Sequence, residues 1–167
     1  MPKEKKPKKP LLFAAAVIAA AVLCYAWFFI ISPTFVSKPV LPKPALEGAP
    51  GEGHLNWAVN ELGAYKLHSD PLSGEPPVME IVVTDLGRTF TSTTINNMPS
   101  TTEGAAVNPD IRLKLTSENF ARLYKSADSS AEAAALYKEG KAEVELLKDT
   151  TTLAAKGYKA IYDEMGM

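Results

Sequence analysis

Cysteine is nearly absent from this chain of 167 residues. Cys24 stands alone, so no disulfide within the chain can staple it, and the folded part must rest on its core. Histidine is almost as scarce. His54 and His68 have no cysteine or second histidine at ligand spacing, which argues against a zinc site. Catalytic signatures are missing as well. There is no G-x-S-x-G elbow and no S-x-x-K. The glycine-rich EGAPGEG lacks the preceding strand and the following lysine that a phosphate loop needs. Glu143 and Glu145 alternate on one expected strand and point the same way, with Lys141 and Lys148 near its ends. That pattern reads as a solvated outer face, because catalytic carboxylate pairs sit in a cleft. The chain is therefore expected to be non-catalytic, with no metal and no cofactor.

A net charge of −1 conceals an asymmetry. Residues 1–10 carry five lysines against Glu4, and residues 11–44 add Lys38 and Lys43. From residue 45 onward 11 Lys and Arg face 18 Asp and Glu, a net −7. An acidic domain is a poor ligand for phosphate backbones, which excludes nucleic acid as the expected partner. The basic tail reads instead as a topology signal.

Leu11 to Ile31, LLFAAAVIAAAVLCYAWFFII, holds no charge and no proline. As a helix it would reach roughly 32 Å at about 1.5 Å per residue, close to the ~30 Å of a bilayer's hydrocarbon core. Tyr25 and Trp27 lie toward its end, where an aromatic belt would sit, and Pro33 ends it. A cleaved signal peptide has a shorter apolar region followed by small residues. This run is too long and its flank, FFIISP, too bulky. Residues 11–32 are therefore expected to form a single membrane-spanning helix. The basic tail, residues 1–10, then lies in the cytoplasm and the C-terminal domain outside it. Residues 33–53 are rich in proline and glycine, which favours extended polyproline II and reads as a spacer.

The folded domain is expected over residues 54–167. Leu55, Ala58, Val59 and Leu62 recur at helical spacing. VMEIVVTD and RTFTSTTI read as a hairpin of strands, with turn and loop after it and a short strand near Thr101. Residues 108–124, NPDIRLKLTSENFARLY, then change period. Ile111, Leu113 and Leu115 alternate as in a half-buried strand, while Phe120, Leu123 and Tyr124 repeat as in a helix. The switch falls at Thr116-Ser117, a helix-start signal. SAEAAALYKE forms a further helix with Gly140 as its C-terminal cap. Ala142, Val144 and Leu146 mark a last strand, and Asp149 caps a final helix whose apolar stripe runs from Leu153 through Tyr158, Ile161 and Tyr162 to Met165. Helices over one face of a small, mostly antiparallel sheet make the class α+β.

This order, with PDIRLKLTSENFARLY, ALYKEGKAEVELLKD and the hairpin MEIVVTDLGRTFTSTTI, resembles the sterol carrier protein 2 (SCP2) family over roughly residues 54–165. The resemblance implies a five-stranded sheet covered on one face by helices, with an apolar tunnel for lipids between them. It also implies a non-enzymatic carrier or ligand-binding appendage. Family domains are typically soluble and intracellular, and this one reads as tethered and outside.

Candidate cavity residues are Phe120, Leu123, Tyr124, Leu136, Tyr158, Ile161 and Tyr162, with Tyr137 on the same helix faces. Ordinary core packing explains most of such a set. A cavity is the sharper reading, because a buried tyrosine hydroxyl needs a partner that a pocket or a bound polar group supplies. The expected function is binding of a lipid or other apolar small molecule at the membrane. The alternative is an accessory subunit docked to other integral membrane proteins, which the small residues of AAAVIAAAV favour.

Overall fold

The computed structural model describes residues 17–24 and 36–164, in two compact units that divide after residue 35. Of the expected span 11–32, only 17–24 are described, and they are helical; the basic tail lies outside the described residues. No helix among the described residues is long and apolar enough to cross a membrane.

In the second unit the order is α1 (Glu52–Glu61), a 3-10 turn (Ala64–Lys66), β1 (Val78–Val83), β2 (Arg88–Ile95), β3 (Met98–Glu103), β4 (Ile111–Leu115), α2 (Ser117–Lys125), α3 (Ser129–Lys138), β5 (Ala142–Leu146), α4 (Thr150–Ala155) and α5 (Tyr158–Glu164). The strands form one α+β sheet in the order β3-β2-β1-β4-β5. β1 pairs β4 in parallel, and the other three pairings are antiparallel. The β2–β3 turn is two residues, Asn96 and Asn97, at φ 52° and 62°. Asparagine tolerates that left-handed pair, and its twist suits a hairpin. The strand near Thr101 is thus a full partner of β2.

Register sorts the sheet into two faces. Met79, Ile81, Val83, Phe90, Ile111, Leu113 and Val144 share the face that packs against the helices. The opposite face carries Glu80, Arg112, Glu145, Lys114 and Glu143 across β1, β4 and β5. There Arg112 bonds both Glu80 and Glu145, and Lys114 bonds Glu145. The Glu143–Glu145 pair belongs to this charged ladder.

The strand-to-helix switch is built by two caps. Thr116 Oγ1 accepts Asn119 N–H at 3.2 Å, and Asp85 in the β1–β2 turn accepts Ser117 N–H at 2.7 Å. Both satisfy donors that a helix start leaves orphaned. At the end of α3, Gly140 (φ 68°) allows the closing pair Gly140 N–H to Tyr137 O and Lys141 N–H to Leu136 O, a Schellman arrangement that delivers the chain to β5.

Two expectations are corrected. The final helix is not continuous: it breaks at Lys156-Gly157 into α4 and α5. Gly157 has φ 88°, and a Cβ there would lie 3.2 Å from Lys66 O, so only glycine lets the turn approach the 3-10 segment. The break also buries Lys156 at 2% exposure against the fully buried Asp110. Lys156 Nζ lies 2.7 Å from Asp110 Oδ1 and 3.2 Å from Pro76 O. The other carboxylate oxygen accepts Val78 N–H at 2.8 Å and the Tyr158 hydroxyl at 3.1 Å. One aspartate thereby ties β1, β4 and the α4–α5 turn together.

Nor are residues 36–51 a free spacer. They are extended, as their prolines require, but they run as a strap along α1. Asn60 Nδ2 donates to Pro39 O (3.0 Å), Tyr124 Oη to Pro44 O (2.7 Å) and Arg88 Nη1 to Pro50 O (2.8 Å). Lys43 Nζ sits 4.1 Å from the Trp57 ring centre and 4.9 Å from that of Tyr124. Pro50 is buried, Leu46 packs on the core, and Gly51 N-caps α1 with His54 Nδ1 accepting its N–H at 3.0 Å. Proline content reports backbone shape, not where an extended segment docks.

Two stability measurements follow. Asp110→Ala leaves a buried ammonium without its carboxylate, and urea denaturation should show a loss of about 3–5 kcal/mol. A fragment starting at His54 should unfold at lower urea than one starting at Val36, by about 2 kcal/mol or more from lost apolar burial and hydrogen bonds. Equal midpoints would mean that the strap contributes nothing.

Candidate functional site

Between the sheet and the helices lies a cavity of about 90 Å³ with an almost wholly apolar lining. Its floor is Met79 and Ile81 of β1, Ile111, Leu113 and Leu115 of β4, and Ala142 and Val144 of β5. Its roof is Leu55, Ala58 and Val59 of α1 with Leu62 just after it, Phe120 and Leu123 of α2, Ala133 and Tyr137 of α3, and Tyr158, Ile161 and Tyr162 of α5. The deep residues, such as Leu55, Val59, Ile81 and Phe120, are at most 3% exposed. Half-buried lining residues occur on several elements, Leu62, Leu113, Leu115, Ala133, Ala142, Val144 and Tyr162 among them, but the exposed ones, Tyr137 and Glu143, lie on α3 and β5. The cavity therefore opens toward the edge strand β5.

The space has an identifiable origin. Alanine stands at 58, 133 and 142, on three of the elements that enclose it. Each leaves room that a leucine would fill, and cores otherwise pack to crystal-like density. At about 90 Å³ the cavity exceeds the space one water needs but is smaller than the roughly 150 Å³ apolar cavity that admits benzene. Pockets for drug-sized ligands run to roughly 300–1,000 Å³.

Of the residues expected to line a cavity, Phe120, Leu123, Tyr158, Ile161 and Tyr162 do so, and Tyr137 joins them. Two of the expected residues do not. Leu136 is fully buried in the core away from the lining. Tyr124 turns toward the strap, with its ring 4.8 Å from Trp57 and 5.6 Å from Phe120 and its hydroxyl on Pro44 O. Both share the helical spacing of the lining residues, and spacing alone does not separate a residue facing the cavity from one beside it. The α1 residues and the small alanines were missed. Their apolar periodicity is plain, but it does not say which helix closes the roof.

The electrostatics are those of a neutral interior. Burial, reinforced by the adjacent Asp110 carboxylate, pushes the Tyr158 phenol far up, so it stays a donor to Asp110. Burial also raises Tyr162, with Tyr137 adding to it, and burial raises Tyr124. Lys114, at the rim, turns its ammonium to Glu145 and Glu143 on the outer face. Among the described residues no group of three or more His, Cys, Asp or Glu could hold a metal ion.

No family model and no curated protein matches the chain. Among solved structures, it is similar to a UbiJ-SCP2 ubiquinone synthesis protein at 14% identity, covering 95% of this chain and 99% of that one, with a TM-score of 0.38. It is also similar to palmitated SCP2L2 from Aedes aegypti at 19% identity, covering 56% and 80%, with a TM-score of 0.28. A third similarity is to the sec-alkylsulfatase Pisa1 from a Pseudomonas species, at 17% identity and a TM-score of 0.36, covering 66% of this chain but 15% of that enzyme. Scores this low place the chain in no family.

Proposed function

We propose that this protein is a membrane-anchored, non-catalytic domain that holds a lipid or other hydrophobic ligand outside the cytoplasm. The observation that carries the reading is the apolar cavity between the five-stranded sheet and its helices, opening beside β5. Support also comes from the resemblance of residues 79–95, 109–124 and 135–149 to SCP2 domains, and from the uncharged run Leu11 to Ile31 behind a lysine-rich tail. The driving force is burial of apolar surface at about 25 cal/mol per Å², or about 0.8 kcal/mol per methylene. The existing space seats one end of a chain. Holding more of it requires α3 and α5 to part over β5, the side where the lining is already half-exposed.

A second reading, docking to other integral membrane proteins as an accessory subunit, rests on a different observation. Tyr137, Leu146 and Leu147 are 46%, 50% and 40% exposed along the edge strand and the helix before it, and exposed large apolar residues along a sheet edge favour an interaction surface. That reading predicts integral membrane proteins that copurify in mild detergent, and a chain that runs alone would count against it.

For the leading reading, the second unit, residues 36–167, is isolated and its bound lipid is identified by mass spectrometry, with uptake of a fluorescent fatty acid ester as a second readout. Copurifying lipid and saturable uptake are expected. Ala133→Phe, which fills the cavity from its accessible side, should weaken uptake at least about tenfold, equivalent to about 1.4 kcal/mol, with an unchanged circular dichroism spectrum. Neither lipid nor uptake in the unmodified domain would sink the proposal.

A further inference from the structure

One residue that lines the cavity, Tyr162, carries a polar atom without a role. Tyr162 Oη is buried and has no hydrogen-bond partner among the described residues. Its neighbours are accounted for. The Tyr158 hydroxyl is spent on Asp110 at 3.1 Å, and Tyr137 is 46% exposed. A buried hydroxyl left unpaired costs on the order of 1–3 kcal/mol. Water is a poor remedy, because a trapped water needs two to four polar partners and the rest of this lining is almost wholly apolar.

The same lining holds Lys114 and Glu143 but offers an anion no unspent cation. Lys114 is the single cation in it, and its ammonium is held on the outer face by Glu145 and Glu143. Lys156, 2% exposed, is consumed by Asp110 at 2.7 Å and Pro76 O at 3.2 Å. A carboxylate or phosphate drawn inside would meet no unspent counter-charge, and burying an unpaired charge is prohibitive.

Building on the cavity reading, we propose that the ligand is a neutral lipid-like molecule carrying an uncharged oxygen acceptor, a ketone, ester or similar carbonyl, that receives the hydrogen bond of the Tyr162 hydroxyl when α3 and α5 part to admit it. The apolar walls supply affinity, and Tyr162 supplies selection between neutral acceptor-bearing chains and plain hydrocarbon or charged fatty acids. The phenol suits the role because burial and the neighbouring Tyr137 hold it protonated, so it donates at any physiological pH.

The test uses the full chain in nanodiscs, with empty nanodiscs as the reference, and three probes of matched length: undecane, 2-undecanone and decanoate at pH 8. The unmodified protein should bind the ketone about five- to tenfold tighter than the hydrocarbon, as one net hydrogen bond of about 1 kcal/mol implies, and decanoate more weakly than either. The carbonyl stretch of bound 2-undecanone should move to lower wavenumber. Tyr162→Phe should abolish that movement and the ketone preference while keeping undecane binding. Preserved preference in Tyr162→Phe, or decanoate binding as tightly as the ketone, overturns the assignment and leaves the cavity reading standing. If undecane too fails to bind, both fall together.

Discussion

The placement of α5 over the sheet depends on one buried ion pair. Asp110 precedes β4 and receives Lys156, the Tyr158 hydroxyl and the Val78 backbone N–H. Val78 opens β1 and Lys156 and Tyr158 flank the Gly157 turn, so the pair sets the register of β1 against β4 and the direction in which α5 leaves that turn. Without that direction Tyr158, Ile161 and Tyr162 would not lie over the floor formed by Ile111 and Leu113. Buried pairs often contribute little net stability compared with apolar substitutes, and their better-attested use is to specify one arrangement among several. Here the specified arrangement is the placement of a roof helix.

The roof's other end is set by the strap. Residues 36–51 press α1 from outside, through Lys43 on Trp57 and Pro39 on Asn60, while Leu55, Ala58 and Val59 on its inner face line the cavity. α1 is thus held between a proline-rich strap and an under-filled core. The strap also couples α1 to α2, because Lys43 lies over both Trp57 of α1 and Tyr124 of α2, and Tyr124 stacks on Phe120, which itself lines the cavity. The segment leading back toward the apolar N-terminal run is therefore part of the domain's packing.

Much of this was legible from local chemistry. Thr116-Ser117 marks the strand-to-helix switch because capping is a one-turn event. Gly140 marks the end of α3 because only a left-handed residue closes it, and alternation in IRLKL names the inward face of β4. The failures share a physical cause, which is dependence on partners distant in sequence. Lys156 is an unremarkable surface residue by composition and becomes buried only because Asp110, 46 residues earlier, receives it. The strap's prolines report an extended backbone, and its docking depends on Trp57 and Tyr124. Cavity volume was beyond reach altogether, since it is the small remainder after many side chains have packed, and it turns on alanines that carry no signal of their own.

The central claim is that an apolar, reachable space lies between sheet and helices. Xenon binds dry apolar cavities and reports them without any assumption about the ligand. In methyl-labelled protein under xenon pressure, saturable chemical-shift changes should be confined to the methyls of Leu55, Val59, Ile81, Leu113, Val144 and Ile161, all of which line the cavity. Unmoved methyls at these positions, or shifts scattered over the surface, would contradict the account.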